Sequence, residues 1–113
     1  MITIYHNPRC SKSRQCLAIL EDKKEELNIV KYLDIHFTEE KLTEIINIIG
    51  IKPIDLVRKN EAVWKQEYKG KDFTDSQVIK IMCQHPKLIE RPIVIKNNKG
   101  IIGRPPEKVI DIL

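Results

Sequence analysis

Residues 6–14 read His6-Asn7-Pro8-Arg9-Cys10-Ser11-Lys12-Ser13-Arg14, a cysteine set among hydroxyls, basic side chains and an imidazole. The segment before it, Ile2 to His6, is a short β-branched and aromatic run suited to a buried strand, and Asn7-Pro8 breaks it. An amphipathic pattern follows, with Cys16, Leu17, Ile19 and Leu20 close to helical spacing. Cys10 is therefore expected between a strand end and a helix N-terminus, where unpaired backbone N–H groups and the positive end of the helix dipole favour a thiolate. Arg9, Lys12 and Arg14 add positive charge. A thiol pKa moved from ~8.5 to ~6.5 would raise the thiolate fraction at neutral pH from about 3% to about three-quarters, at a differential stabilisation of roughly 2.7 kcal/mol. The same N–H groups suit an oxyanion.

The spacing also excludes chemistry. A phosphatase-type loop needs an arginine six residues after its cysteine, where this chain has Cys16, and a C-x-x-C dithiol needs a cysteine where it has Ser13. The site reads as a monothiol, with Ser13 within reach of the sulfur.

The elements that must position this site form one domain over residues 1–113, an α/β arrangement of a mixed sheet with helices against it. The first helix is predicted from Ser11 to about Leu27 and a second strand over Asn28 to Leu33. Thr38 caps a helix carrying Leu42, Ile45, Ile46 and Ile49, which Gly50 ends. From Pro53 to about His85 no strand is evident. A helical turn at Pro53, a segment over Ala62 to Tyr68, and a helix capped by Thr74 with Val78, Ile79, Met82 and Cys83 inward make a helical insertion over about 38–88. Pro92 to Lys96 and Gly100 to Gly103 are expected as strands joined in a hairpin, and Pro105-Pro106 opens a last helix, EKVIDIL.

The bulk properties fit one compact domain. The 113 residues are 42% hydrophobic, enough for one core. No run approaches the ~18 consecutive apolar residues of a membrane span, and the N-terminus lacks the layout of a signal peptide, so a cytoplasmic protein with no membrane association is expected. Three cysteines are too few for a disulfide scaffold. The net charge of +4 is dispersed and lacks the aromatic interleaving of single-stranded nucleic-acid surfaces; a small anion explains it about as well as a polymer would, and no nucleic-acid partner is expected.

Beyond these readings, His6 to Arg14 resembles the H-N-P-x-C-x-x-S-R motif of the glutaredoxin-coupled arsenate reductases. Leu56-Val57-Arg58-Lys59-Asn60 is similar to that family's L-x-R-K-N segment, and Phe73-Thr74-Asp75 to its F-T-D. Gln84-His85-Pro86, then Ile89-Glu90-Arg91-Pro92-Ile93-Val94, resemble its Q-H-P-x-L-I-x-R-P-I-V block, and Gly103-Arg104-Pro105 its last arginine motif. The resemblance implies a thioredoxin-like fold with a helical insertion and a cis Arg91–Pro92 bond, in which Pro92 is structural. It implies a Cys10 thiolate, aided by His6 and Ser13, that attacks arsenate held by Arg58, Arg91 and Arg104. Guanidinium forks suit a tetrahedral oxyanion. The implied co-substrate is glutathione and the implied partner glutaredoxin, with no bound cofactor and no metal.

The remaining polar and aromatic residues have plainer readings. His36 and His85 lack metal-ligand partners at suitable spacing and are taken as surface or helix-end residues. Trp64 and Tyr68 are taken as packing, and Cys16 and Cys83 as small hydrophobes on apolar helix faces. Two other functions fit the same scaffold. One is a non-catalytic regulator that binds RNA polymerase, whose redox switch is a C-x-x-C pair that Ser13 removes here. The other is a glutathione-linked reductase acting on protein mixed disulfides or another oxyanion.

Overall fold

In the computed structural model, which describes residues 1–35 and 37–113, the chain divides into two units, residues 1–35 with 91–113 and residues 36–90. The first unit holds a four-stranded sheet of β1 (Ile2–Tyr5), β2 (Leu27–Val30), β3 (Ile93–Lys96) and β4 (Lys99–Ile102), in the order β2-β1-β3-β4. The β1–β2 pair is parallel and the other two are antiparallel. A parallel pair needs a crossover, supplied by α1 (Ser11–Glu21). The β3–β4 hairpin turns on Asn97 and Asn98, with Asn97 at φ +57°, a left-handed conformation that asparagine tolerates well.

Ile2 and Ile4 from β1, Cys16 and Leu20 from α1, Val94 from β3 and Val109 form the core of this unit, each fully buried. Truncating such a Leu or Ile to Ala costs about 2–5 kcal/mol. Gly103, just past β4, sits where any side chain would collide. A Cβ there would lie 3.0 Å from Cys16 Sγ, 3.0 Å from Pro92 Cγ and 3.3 Å from Val109 Cγ1.

The second unit is helical: α2 (Glu39–Ile49), a 3-10 turn (Pro53–Leu56), α3 (Ala62–Glu67), α4 (Asp75–Gln84) and a second 3-10 turn (Pro86–Leu88). Caps define its helices. Thr38 accepts from Lys41 N, Gly50 closes α2 at φ +81°, and Thr74 and Gln77 form a reciprocal capping box at α4. Leu42, Ile45 and Ile46 of α2 are buried, as are Val78, Ile79, Ile81 and Met82 of α4. Trp64 is buried against Tyr68 and Phe73, with ring centroids 5.5 and 6.1 Å away.

Four details differ from the sequence reading. Helix α1 ends at Glu21 instead of near Leu27, because Lys24 turns left-handed (φ +58°) and Leu27 pairs with Ile2. Strand β2 accordingly spans Leu27–Val30, one residue earlier at its start and three shorter at its end. The terminal segment Pro106–Ile112 coils as a 3-10 helix. Cys83 is half-buried on α4 instead of inward-facing. His36 falls outside the described residues.

Candidate active site

The strand registers determine which side chains meet. Tyr5 lies opposite Ile93 and Ile93 opposite Ile102, so continuing both ladders brings Asn7, Arg91 and Arg104 to one end of the sheet. Gly103 N–H donates to the Pro92 carbonyl at 2.8 Å, extending the hairpin. The Arg91–Pro92 bond is cis, and so is Arg104–Pro105, which the sequence reading did not foresee.

Cys10 sits at the same end as the N-cap of α1, with extended backbone (φ −95°, ψ 123°). Its N–H donates to the Asn7 carbonyl and its own carbonyl accepts from Arg14 N, each at 3.0 Å. Asn7, read from sequence only as a strand breaker, shapes this loop. Its Oδ1 accepts from Arg9 N at 3.0 Å, and Arg14 Nη1 reaches the Pro8 carbonyl at 2.9 Å.

Arg104 Nη1 lies 3.9 Å from Cys10 Sγ and 3.3 Å from the Arg91 carbonyl. Arg91 Nε is buried without a hydrogen-bond partner among the described residues. Burial opposes charge on Cys10. The Ser13 N–H, the Arg91 guanidinium and the Lys12 N–H outweigh it, and the thiol is held below its ordinary value.

Ser13 meets the sulfur through its backbone N–H, while its hydroxyl has another partner. Its hydroxyl is fully buried and shares a 2.6 Å hydrogen bond with His6 Nδ1 while accepting from Asn7 N at 3.1 Å; its backbone N–H is what favours the thiolate. Burial, then Lys31 and Arg14, lower the pKa of His6 and so favour its neutral ring. His6 thus bears on the site through Ser13, bracing the loop that carries Cys10. A buried hydroxyl meeting a buried imidazole seven residues away across a turn leaves no local signal in sequence.

Arg58 belongs to the second unit. Its Nη1 pairs with Glu61 at 2.9 Å and its Nε with Glu90 at 3.5 Å. His85 ends α4 and meets Tyr68 Oη at 3.2 Å. Cys16 is fully buried and burial pushes its thiol up to about 12; burial and Glu39 raise that of Cys83. Among the described residues no cluster of His, Cys, Asp or Glu could hold a metal, and no helix is long and apolar enough to cross a membrane.

Comparison with known proteins places this geometry. The model of the ArsC family matches residues 5–112. The uncharacterized protein YfgD of Escherichia coli K12 is 39% identical over 99% of this chain and 96% of its own. A Haemophilus influenzae protein named arsenate reductase is 40% identical, over 99% of this chain and 98% of its own. The solved structure of an arsenate reductase from Vibrio cholerae superposes with a TM-score of 0.94 at 39% identity, covering 99% of this chain and 97% of that one. Given the match over nearly its whole length and its thioredoxin-like mixed sheet, this chain belongs to the ArsC family.

Proposed function

We propose that the protein reduces arsenate to arsenite with glutathione and glutaredoxin, using Cys10 as nucleophile. The observation that carries this reading is a lowered-pKa thiol at a helix N-terminus with the Arg104 guanidinium 3.9 Å from its sulfur and a buried Nε on Arg91 that has no hydrogen-bond partner among the described residues. Two arginines at one thiol offset the repulsion between a thiolate and an oxyanion, and an orphan donor is satisfied by an oxyanion's lone pair. The relatives named arsenate reductase support arsenate as that anion.

In this mechanism the Cys10 thiolate attacks arsenate and an arsenate oxygen leaves as water, forming an S–As(V) bond. Glutathione displaces a second oxygen, again as water, to give a Cys10–S–As–S–glutathione adduct. A glutaredoxin thiolate then takes the glutathionyl sulfur. The electron pair of the broken As–S bond stays on arsenic, which becomes As(III), and the two electrons come from the two thiols now joined as the glutaredoxin–glutathione disulfide. Hydrolysis of the remaining S–As bond releases arsenite and restores Cys10. Arg91 and Arg104 hold the oxyanion, the first-turn N–H groups stabilise the thiolate as it forms and leaves, and His6 and Ser13 keep the loop in place. The family pattern adds Arg58 as a third oxyanion ligand.

The test is arsenate-dependent NADPH oxidation coupled through glutathione reductase, glutathione and glutaredoxin. The reading requires turnover that needs all three and is absent from Cys10→Ser. Absence of turnover with arsenate, with the protein folded, refutes it. Arg58→Ala in the same assay decides that residue's role, since unchanged kinetics would reduce it to a partner of Glu61 and Glu90.

A further inference from the structure

An open cleft of about 310 Å³ lies beside the nucleophile's loop, with the Asn7–Arg9 turn on one wall and residues 31–34 on the other. Its position follows from the sheet. Strands β1 and β2 run parallel with Tyr5 opposite Val30, and His6 N donates to the Val30 carbonyl at 2.7 Å, so the next step of the register sets His6 beside Lys31. The cleft is therefore at the C-terminal ends of the parallel strands, where open α/β sheets collect ligands.

Its charged groups are Arg9, Lys31 and Asp34, all exposed, and none of the three makes an ion pair among the described residues. Lys31 and Asp34 share one turn, in which Asp34 N donates to the Lys31 carbonyl at 3.0 Å. An ammonium and a carboxylate thus stand together at one end of the cleft. Arg9, the residue before Cys10, stands at the other wall.

We propose that this cleft is the glutathione site, with Lys31 and Asp34 receiving the γ-glutamyl head and Arg9 the glycine carboxylate. The proposal rests on the glutathione-dependent reading above. Two cations and one anion in the cleft complement the two carboxylates and one ammonium of the tripeptide. The γ-glutamyl head carries an ammonium and a carboxylate on one carbon, which a Lys–Asp pair in a single turn matches. Arg9 directly precedes Cys10, so a chain held between that turn and Arg9 lies beside the loop that carries the nucleophile. The cleft volume is at the small end of the ~300–1,000 Å³ range of ligand sites, as suits a tripeptide.

The experiment separates binding from turnover. S-methylglutathione, whose thiol is blocked, is titrated into the wild-type protein and followed by amide chemical shifts, and glutathione and arsenate KM values are measured in the coupled assay. The expected result is a shift of amides in residues 6–9 and 31–34. Lys31→Ala and Asp34→Ala should each raise the Kd and the glutathione KM about fivefold, the scale of an exposed charge pair, with the effect falling on glutathione instead of arsenate. N-acetyl-S-methylglutathione, which lacks the ammonium, should bind the wild type about fivefold more weakly than S-methylglutathione and bind Asp34→Ala no worse. Binding at this cleft without arsenate turnover leaves the site standing and removes the arsenate reading. Glutathione-dependent turnover in which both variants, folded by circular dichroism, keep the wild-type glutathione KM overturns the site, as do shifts confined to other residues.

Discussion

The N-terminal end of α1 and its buried flank each carry a cysteine, and the fold drives the two thiols in opposite directions. Cys10, at the N-cap, is held below the ordinary thiol range by the Ser13 and Lys12 N–H groups and Arg91 against the pull of burial. Cys16, six residues on, lies fully buried in the core with Leu20, Val94 and Val109, and burial pushes it up to about 12. Both belong to one helix of one unit. Reactivity here is a property of position in the field of the helix and the arginines, and residue type alone does not confer it.

The bluntest way to break this comparison is to exchange the roles of the thiols. Cys10→Ser should abolish glutathione-dependent arsenate reduction, leaving only the uncatalysed rate, while Cys16→Ala should keep it. The reverse pattern would mean that the buried thiol is the nucleophile.

A graded attack removes the charge instead of the sulfur. Arg104→Ala should lower kcat/KM for arsenate about 10²–10³-fold, the scale of losing one preorganised oxyanion donor. Circular dichroism should be unchanged, because Arg104 is a half-exposed residue outside the core. A folded Arg104→Ala protein with wild-type kinetics would show that the guanidinium near the sulfur has no part in the reaction.

On the buried side the comparison is sharpened by packing. Gly103→Ala places a methyl 3.0 Å from both Cys16 Sγ and Pro92 Cγ, inside contact distance, and should destabilise the protein by about 1–3 kcal/mol in urea unfolding. Adding Cys16→Ala relieves one of the two collisions, so the double variant should lose less than the sum of the singles. Strict additivity would mean that the helix does not press on Gly103.

Titration reads the contrast directly. The Cys10 shift is downward, so iodoacetamide labelling of Cys10 should show a midpoint below the ~8.5 of an ordinary cysteine thiol. Cys16, shifted upward, stays protonated and should remain unlabelled in the folded protein over the same range. A Cys10 midpoint at or above ~8.5 would contradict the placement of its donors.

Which of these features the sequence discloses depends on how local their causes are. Thr38, Gly50 and Thr74 with Gln77 are caps whose partners lie within four residues, so they are visible as motifs and found as hydrogen bonds. The helix start behind Cys10 belongs to the same class. The end of α1 does not: residues 21–26 are good helix formers, and only the pairing of Leu27 with Ile2 across the sheet decides against them. The company that Cys10 keeps is less local still. Arg91 and Arg104 reach it through two antiparallel ladders, so no spacing rule could select them, and only the family motifs singled them out. That Ser13 can reach the sulfur is legible in the sequence, and its backbone N–H does so; that its hydroxyl turns toward His6 depends on the loop between them.

The smallest effect expected is none at all, and it tests whether the comparison leaves Cys10 alone as the working thiol. An internal relay would need a second cysteine to form a disulfide with it. Cys16 follows by six residues, a rise of about 9 Å and a rotation of about 240° along the helix, whereas a disulfide needs Cα atoms within roughly 4.4–6.8 Å. Its protonated, fully buried sulfur is also a poor nucleophile. Cys83 is half-buried on α4, and both burial and Glu39 favour its neutral thiol over the thiolate an attack requires. All three cysteines are free. The Cys16→Ala, Cys83→Ala double variant should therefore retain wild-type kcat and keep its dependence on glutathione and glutaredoxin, with alanine avoiding a hydroxyl buried without a partner at position 16. Loss of turnover in the folded double variant, or a Cys10–Cys83 disulfide found by mass spectrometry after reaction with arsenate, would establish an internal relay. In that case the raised pKa of the second thiol would no longer mark it as a spectator.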